Sequence, residues 1–406
     1  MSLKKYRILN FLLFGWLLLI LGQTLRLEYK IIYFPLFISF LVLNLYVIIK
    51  YGAIFYPNRY LTFHLWFFYI LITYVAAMTF FYGNLDDVQR AFPKMTLMPL
   101  TAIFFYNFIN SDLQTKKIIN IYIFFSLIAA LSIFYQIFSG HNIEFLVESS
   151  TRGGLNRYAS TAGSLTVFGG AAGVFLILTA IYVNNYFFKS LIFSVFAISA
   201  IISLSKAGLM NVFISLFFLI FFIKIKYKFK FFILLSFAAI LFYFSAPDVQ
   251  EYLDVAFEGL KIGSSEHTSI KGQTSFRLIG AIVQLNADPI VETFFGYGLL
   301  GGQGAFGLPN SLAGTTHNQY GDLFQIGGIF LFVNVISILV CLMIELYKIK
   351  KKDDLANLFF YCNIMALINM FFFNGFLYQP TTSFILWLSL VYVIKKQEKN
   401  YNEKNL

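Results

Sequence analysis

His317 stands in Thr315-Thr316-His317-Asn318, a polar quartet just ahead of an apolar run that begins near residue 321. Threonine and asparagine favour helix starts, so the spacing predicts an N-cap followed by a first turn that carries the imidazole. Backbone N–H groups at a helix start favour anions and disfavour imidazolium. A neutral imidazole in that position could take a proton from an alcohol. The competing reading is a histidine at a membrane boundary, hydrogen-bonded to its own loop. His64, His141 and His267 have weaker surroundings and read as structural.

Cations recur in places suited to an anionic ligand. Arg277 follows Thr274 and Ser275, either of which could cap a helix over 276–287 that stops at Asp288-Pro289. Its planar fork matches phosphate oxygens; the bland alternative is a salt bridge to a nearby acid. Arg152 and Arg157 flank a glycine turn in Thr151-Arg-Gly-Gly-Leu-Asn-Arg-Tyr158, where they could hold a lipid headgroup or simply anchor at an interface. Lys206 interrupts a long apolar stretch within Ser203-Leu-Ser-Lys-Ala-Gly208. A cation there is costly unless it meets water, a partner or an anion, and Ser203 and Ser205 could bond a broken backbone.

These groups must be carried by a membrane-embedded scaffold. Of 406 residues, 59% are hydrophobic and only 12% charged, a surface no soluble fold could cover. Disordered, collagen-like and disulfide-rich secreted classes fall on the same figures. The net charge of +11 reads as membrane topology, not as nucleic-acid binding. Twelve apolar runs are candidate spans, at about 8–25, 31–49, 61–82, 95–110, 118–138, 162–183, 190–205, 207–223, 231–246, 321–346, 355–373 and 383–394. The fold expected is therefore an all-α polytopic membrane protein, a single transmembrane domain over 1–406. With the N-terminus inside, the inner segments hold twenty Lys and Arg and the outer ones ten, which predicts both termini in the cytoplasm. Parity requires residues 190–223 to be two short spans, with Lys206 near the outer face. The tail at 395–406 reads as a frayed end.

Only one connection is long. Residues 247–320 form an outer loop with seven acids and three basic residues, and so long a loop is usually functional. Val249, Leu253, Ala256, Phe257 and Leu260 predict a helix on the membrane surface. Gly296 to Gly307 should be irregular. Gly296-Tyr-Gly298-Leu-Leu-Gly301 satisfies G-x-G-x-x-G, but the βαβ context that a dinucleotide needs is missing, and that reading is rejected. No metal-binding pattern is present, and Cys341 and Cys362, both in apolar runs, read as buried thiols.

The order of these features resembles the O-antigen ligase and O-antigen polymerase superfamily of bacterial cell-envelope glycosyltransferases. The residues concerned are Ser203 to Gly208, Arg277, Gly296-Tyr-Gly298 and His317-Asn-Gln-Tyr-Gly-Asp-Leu-Phe-Gln-Ile-Gly327. The resemblance covers roughly 150–375. Lys206 stands where the family more often has arginine, Gln325 where an acid is common, and Ile279 where an aromatic is frequent. The resemblance implies a metal-independent transferase with no cofactor, acting at the outer face of a bacterial inner membrane on an undecaprenyl-diphosphate-linked oligosaccharide. His317 and Arg277 would be catalytic, with Arg152, Arg157, Lys206 and Asn318 on the diphosphate. The expected activity is polymerisation of O-antigen or capsule repeat units. A ligase that moves the finished glycan to lipid A–core is the alternative, and a lipid-linked oligosaccharide flippase the more distant one. Expected partners are the bilayer, the lipid-linked glycan, and a chain-length regulator and flippase of the same route.

Overall fold

The computed structural model describes residues 33–51, 60–82, 100–146, 150–163 except 153, 167–223, 228–245, 290–298 except 297, 319–371 and 379–404, together with a few isolated positions. The described residues are mostly helical, at 84%. The helices are α1 (Tyr33–Tyr51), α2 (Tyr60–Tyr82), α3 (Asp112–Ser139), α4 (Val167–Tyr182), α5 (Tyr186–Ile202), α6 (Lys206–Phe221), α7 (Lys228–Ser245), α8 (Ile290–Phe295), α9 (Gln319–Ile349), α10 (Asp354–Asn369) and α11 (Pro380–Lys404). Residues 100–108 are also helical. Helices thus stand at ten of the twelve expected segments, and partly at 95–110; the first, 8–25, lies outside the described residues except at three positions. Among the described residues, three helices are long and apolar enough to cross a membrane: Tyr60–Met78, Asp112–Ser139 and Gln319–Ile349.

Their surfaces carry the same message. On α3, Phe124, Ile128, Leu131, Tyr135 and Phe138 form an exposed stripe, while Ile119, Tyr122, Ala129, Ala130 and Ile133 on the opposite side are buried. A helix that is apolar on both its packed and its exposed faces belongs in lipid. The chain is a membrane protein.

Local signals set the helix ends. Ser111 caps α3 by accepting from Gln114 N–H (3.3 Å), and the helix stops at Gly140, whose φ is +69°. Asn185 caps α5 through Phe187 N–H (2.9 Å). Asp353 caps α10 through Leu355 and Ala356 N–H (3.0 and 3.1 Å).

The chain divides into two compact units. Unit 1 comprises Met1–Tyr46, Phe108–Lys261 and Tyr361–Asn369; unit 2 comprises Val47–Asn107, Ile262–Phe360 and Met370–Leu406. In unit 1, α4 packs on α5 and α6, and α5 on α3 and α7. Phe175 lies at the aromatic centre, 5.3 to 5.7 Å from the rings of Tyr122, Phe168 and Phe196. Small residues bring α4 and α6 together: a Cβ on Gly208 would lie 2.5 Å from the Ala200 carbonyl oxygen and 3.2 Å from Gly169 Cα. There Asn211 Nδ2 donates to Gly169 O (2.8 Å) and Asn369 Oδ1 (2.9 Å), and Asn369 donates in turn to Gly170 O. Buried amides that bond one another and the backbone are a standard link between helices in lipid.

In unit 2, α9 packs on α2, α8 and α11. His64 and Asn334 form a reciprocal pair: Asn334 Nδ2 donates to His64 O (3.1 Å), so its Oδ1 must accept from His64 Nδ1 (3.0 Å). His64 is thus a bond between helices, as its sequence setting indicates.

Two expectations need correction. The all-α expectation omits a two-stranded antiparallel hairpin, β1 (Ser150–Arg152) and β2 (Leu155–Arg157). The turn at Gly154 (φ +82°) lets the short Thr-Arg-Gly-Gly-Leu-Asn-Arg stretch fold back on itself. The tail is not frayed up to Lys404: α11 continues because Lys396 Nζ reaches Asp353 (3.1 Å) and Tyr106 donates to Glu398 (3.0 Å). Lys395 Nζ also lies 3.8 Å from the Tyr106 ring centre.

Candidate functional site

One end of unit 1 gathers the C-terminus of α3, the hairpin, the start of α4 and the joint between α5 and α6. The joint is residues 203–205, where the sequence places its break. Ser203 Oγ bonds Ala200 O (2.8 Å), and Ser205 Oγ accepts from Gly208 N–H (3.4 Å). These are the backbone repairs that serines supply where helical structure is interrupted in an apolar setting. Leu204 has φ +51°, the one positive φ at a described residue other than glycine. Lys206 is the first residue of α6.

The hairpin meets this joint. Its register pairs Ser150 with Arg157 and Arg152 with Leu155. Arg157 is half-buried, and its Nε donates to Ser203 O (3.5 Å). The structure therefore brings Arg157 to the residues just before Lys206, and Arg152 lies on the partner strand. A guanidinium beside a helix N-terminus favours an anion.

Gln136 shapes this end, and sequence reasoning missed it. Its buried side chain donates to Ala159 O (2.8 Å) and accepts from Ile143 N–H (3.1 Å), fastening both sides of the 140–163 connection to α3. Ser132 adds a bond from Thr161 N–H (3.2 Å). The only signal in the sequence is a pair of polar residues at i, i+4 in an otherwise apolar stretch.

In unit 2, the Gly296-x-Gly298 turn has a clear structural role. It is preceded by helix α8, not by a strand, which agrees with rejecting the dinucleotide reading. Gly298 N–H donates to Ile326 O (3.1 Å). A Cβ on Gly296 would lie 2.5 Å from Gly327 N. At that contact α9 breaks: Gly327 has φ −134° and ψ 18°, and Gly328 has φ 61° and ψ −160°. The latter conformation is essentially restricted to glycine. The turn and the start of α9, distant in sequence, are thus one backbone-to-backbone joint.

Gln319 opens α9 and is fully buried. Its N–H donates to Met370 O (2.8 Å), and its Oε1 accepts from Leu377 N–H (3.0 Å). His317 and Asn318 immediately precede it in sequence; they, Arg277, and the helices expected at 249–260 and 276–287 lie outside the described residues. Among the described residues, no group of three His, Cys, Asp or Glu side chains could hold a metal ion. Cys362 is buried and Cys341 half-buried, both as free thiols.

No family model matches the chain, and no curated protein matches it.

Proposed function

We propose that this chain is a bacterial inner-membrane glycosyltransferase, a polymerase that joins undecaprenyl-diphosphate-linked oligosaccharide repeat units into O-antigen or capsule-like polysaccharide. It would cross the membrane twelve times with both termini in the cytoplasm and act on the outer side. The reading is carried by the ordered set Ser203 to Gly208, Arg277, Gly296-Tyr-Gly298 and His317-Asn318 to Gly327. Two structural facts support it. The glycine turn and the glycine of the last motif are in backbone contact, and Arg157 lies against the Ser203 break.

In this reading a hydroxyl of one lipid-linked glycan attacks the anomeric carbon of another, with inversion. The bond from that carbon to the lipid diphosphate breaks as the glycosidic bond forms. His317 takes the hydroxyl proton, and Arg277 steadies the charge that develops on the leaving diphosphate. Arg152, Arg157, Lys206 and Asn318 bind the diphosphate.

The test is a reconstituted one. Purified protein in proteoliposomes, supplied with lipid-linked repeats and no energy source, should form new glycosidic bonds. A transporter would form none. His317→Ala and Arg277→Ala proteins that elongate glycan at normal rates would falsify the role assignment. The ligase alternative uses the same donor chemistry and is separated in a deletion strain: single repeats on the surface lipid indicate a lost polymerase, and long chains stranded on the carrier a lost ligase.

A further inference from the structure

Lys189 is the one charged residue of α5, and it lies on the packed face. It is 5% exposed and shares a side of the helix with Phe193 and Phe196, at i+4 and i+7. Those rings meet Phe231 of α7 and Phe175 of α4, each at 5.3 Å. No hydrogen bond or ion pair reaches the Lys189 ammonium from a described residue. A cation sunk in an apolar helix is costly unless it meets an anion. Because helical side chains lean toward the helix start, its long stem carries the ammonium back toward Asn185, where α5 begins.

That end of unit 1 is rich in cations. Tyr182, at the end of α4, donates to Lys116 O at the start of α3 (3.1 Å). Lys230, at the start of α7, lies 5.9 Å from the Tyr186 ring centre. Among the described residues, the end of α4 and the starts of α3, α5 and α7 therefore meet there. They bring Lys116, Lys117, Lys228 and Lys230 to the same end as Lys189, with Asp112 as the one acid. Asn185 already accepts from Phe187 and Phe188 N–H, so an anion would be held by the ammonium and not by the helix start. On the outside of the same turns, Phe187, Phe188 and Leu191 are half or more exposed. An anion at Lys189 thus sits beside hydrocarbon-facing surface, which suits an amphiphile better than a free ion.

We propose that Lys189 is the floor of a binding site for the phosphate of an anionic phospholipid, whose acyl chains lie along the exposed face of α5. The site is separate from the diphosphate cluster of the glycosyltransferase reading. Lys189 and Ser203 stand at opposite ends of α5, about 20 Å apart along its axis, and the proposal holds or fails without that reading.

The experiment titrates full-length protein in neutral detergent with phosphatidylglycerol and with phosphatidylcholine, and reads the first bound lipid by native mass spectrometry. Phosphatidylcholine carries the same phosphate under a compensating cation, so phosphatidylglycerol should bind at least about tenfold tighter. Inorganic phosphate in large excess should not displace it. Lys189→Met fills a similar space without the charge and should lose most of that preference, leaving about threefold or less. Lys189→Arg should keep it. Lys351→Met, which removes an exposed charge from unit 2, should keep it too. Equal binding of the two lipids by the natural protein overturns the site, and that result requires no variant to fold. A Met variant that retains the full preference overturns it as well, as does a Lys351 variant that loses as much, since net charge alone would then be at work. Displacement by inorganic phosphate would mean a small-anion site and removes the lipid.

Discussion

The two units solve the same problem differently. Each must hold an interrupted helical stretch in an apolar setting, where an unmet backbone group is expensive. Unit 1 ends α5, repairs the joint with Ser203 and Ser205, and presses α4 and α6 together through Gly169, Gly208 and the Asn211–Asn369 pair. Unit 2 keeps α9 nominally continuous and breaks it inside, letting the Gly296-x-Gly298 turn insert its backbone at Gly327-Gly328. Side chains mend the first joint, where Gly208 also packs on the Ala200 carbonyl, and main chain alone makes the second. A side-chain joint tolerates exchange, because neighbours can repack; a main-chain joint allows little, because no rotamer can relieve a clash with a carbonyl.

That contrast can be broken or sharpened by substitution. The largest effect should come from the chemistry assigned to unit 2: His317→Ala should lower the rate of glycan elongation by about 1,000-fold, read on reconstituted protein, as loss of a general base does. Next, Gly328→Ala should cost about 3 kcal/mol or more, since its dihedrals exclude other residues and a Cβ would lie 2.6 Å from Phe295 N. Thermal unfolding in detergent should show it as lost folded yield. Gly169→Ala, in the unit 1 joint, should cost less, about 1–3 kcal/mol, because the atoms nearest its Cβ belong to the Ser205 side chain, at 2.6 Å. If both glycines cost the same, the distinction between the joints is void.

Asp353 adds a pH-dependent term. Burial alone raises its pKa, but hydrogen bonds from Tyr392 (2.7 Å), Ala356 N–H and Lys396 more than offset this, and the net shift is downward. With the folded value below the unfolded one of about 3.9, its stabilisation is present above about pH 4 and lost as pH falls through the folded value. Asp353→Asn should cost about 1–2 kcal/mol at neutral pH and flatten the acid limb of Tm against pH. The smallest effect belongs to the unit 1 amides. Asn211→Leu should cost about 1 kcal/mol, in line with hydrogen bonds between helices in lipid, and leave elongation rates nearly unchanged.

Much of the helical layout was legible because apolar run length is a local property. The break at 203–205, the serines that repair it and the structural role of His64 follow from single residues in apolar surroundings. The hairpin at 150–157 was not seen, because eight residues with one glycine turn give no clear alternation. The persistence of α11 to Lys404 was misread, because Lys395, Lys396 and Glu398 look solvated until Tyr106, Asp353 and Tyr392 come into view. Gln136 and Gln319 left almost no mark: an amide in an apolar stretch does not reveal which backbone group it will meet.

Residue order alone determined that this chain lives in a membrane and roughly where its helices run, since composition and run length need no partner. The tertiary structure decided that a glycine turn near 297 closes on a helix break near 327, and that a buried glutamine fastens the segment behind His317. Those depend on which distant backbone groups come within hydrogen-bond reach of each other, and chain separation carries no record of that distance.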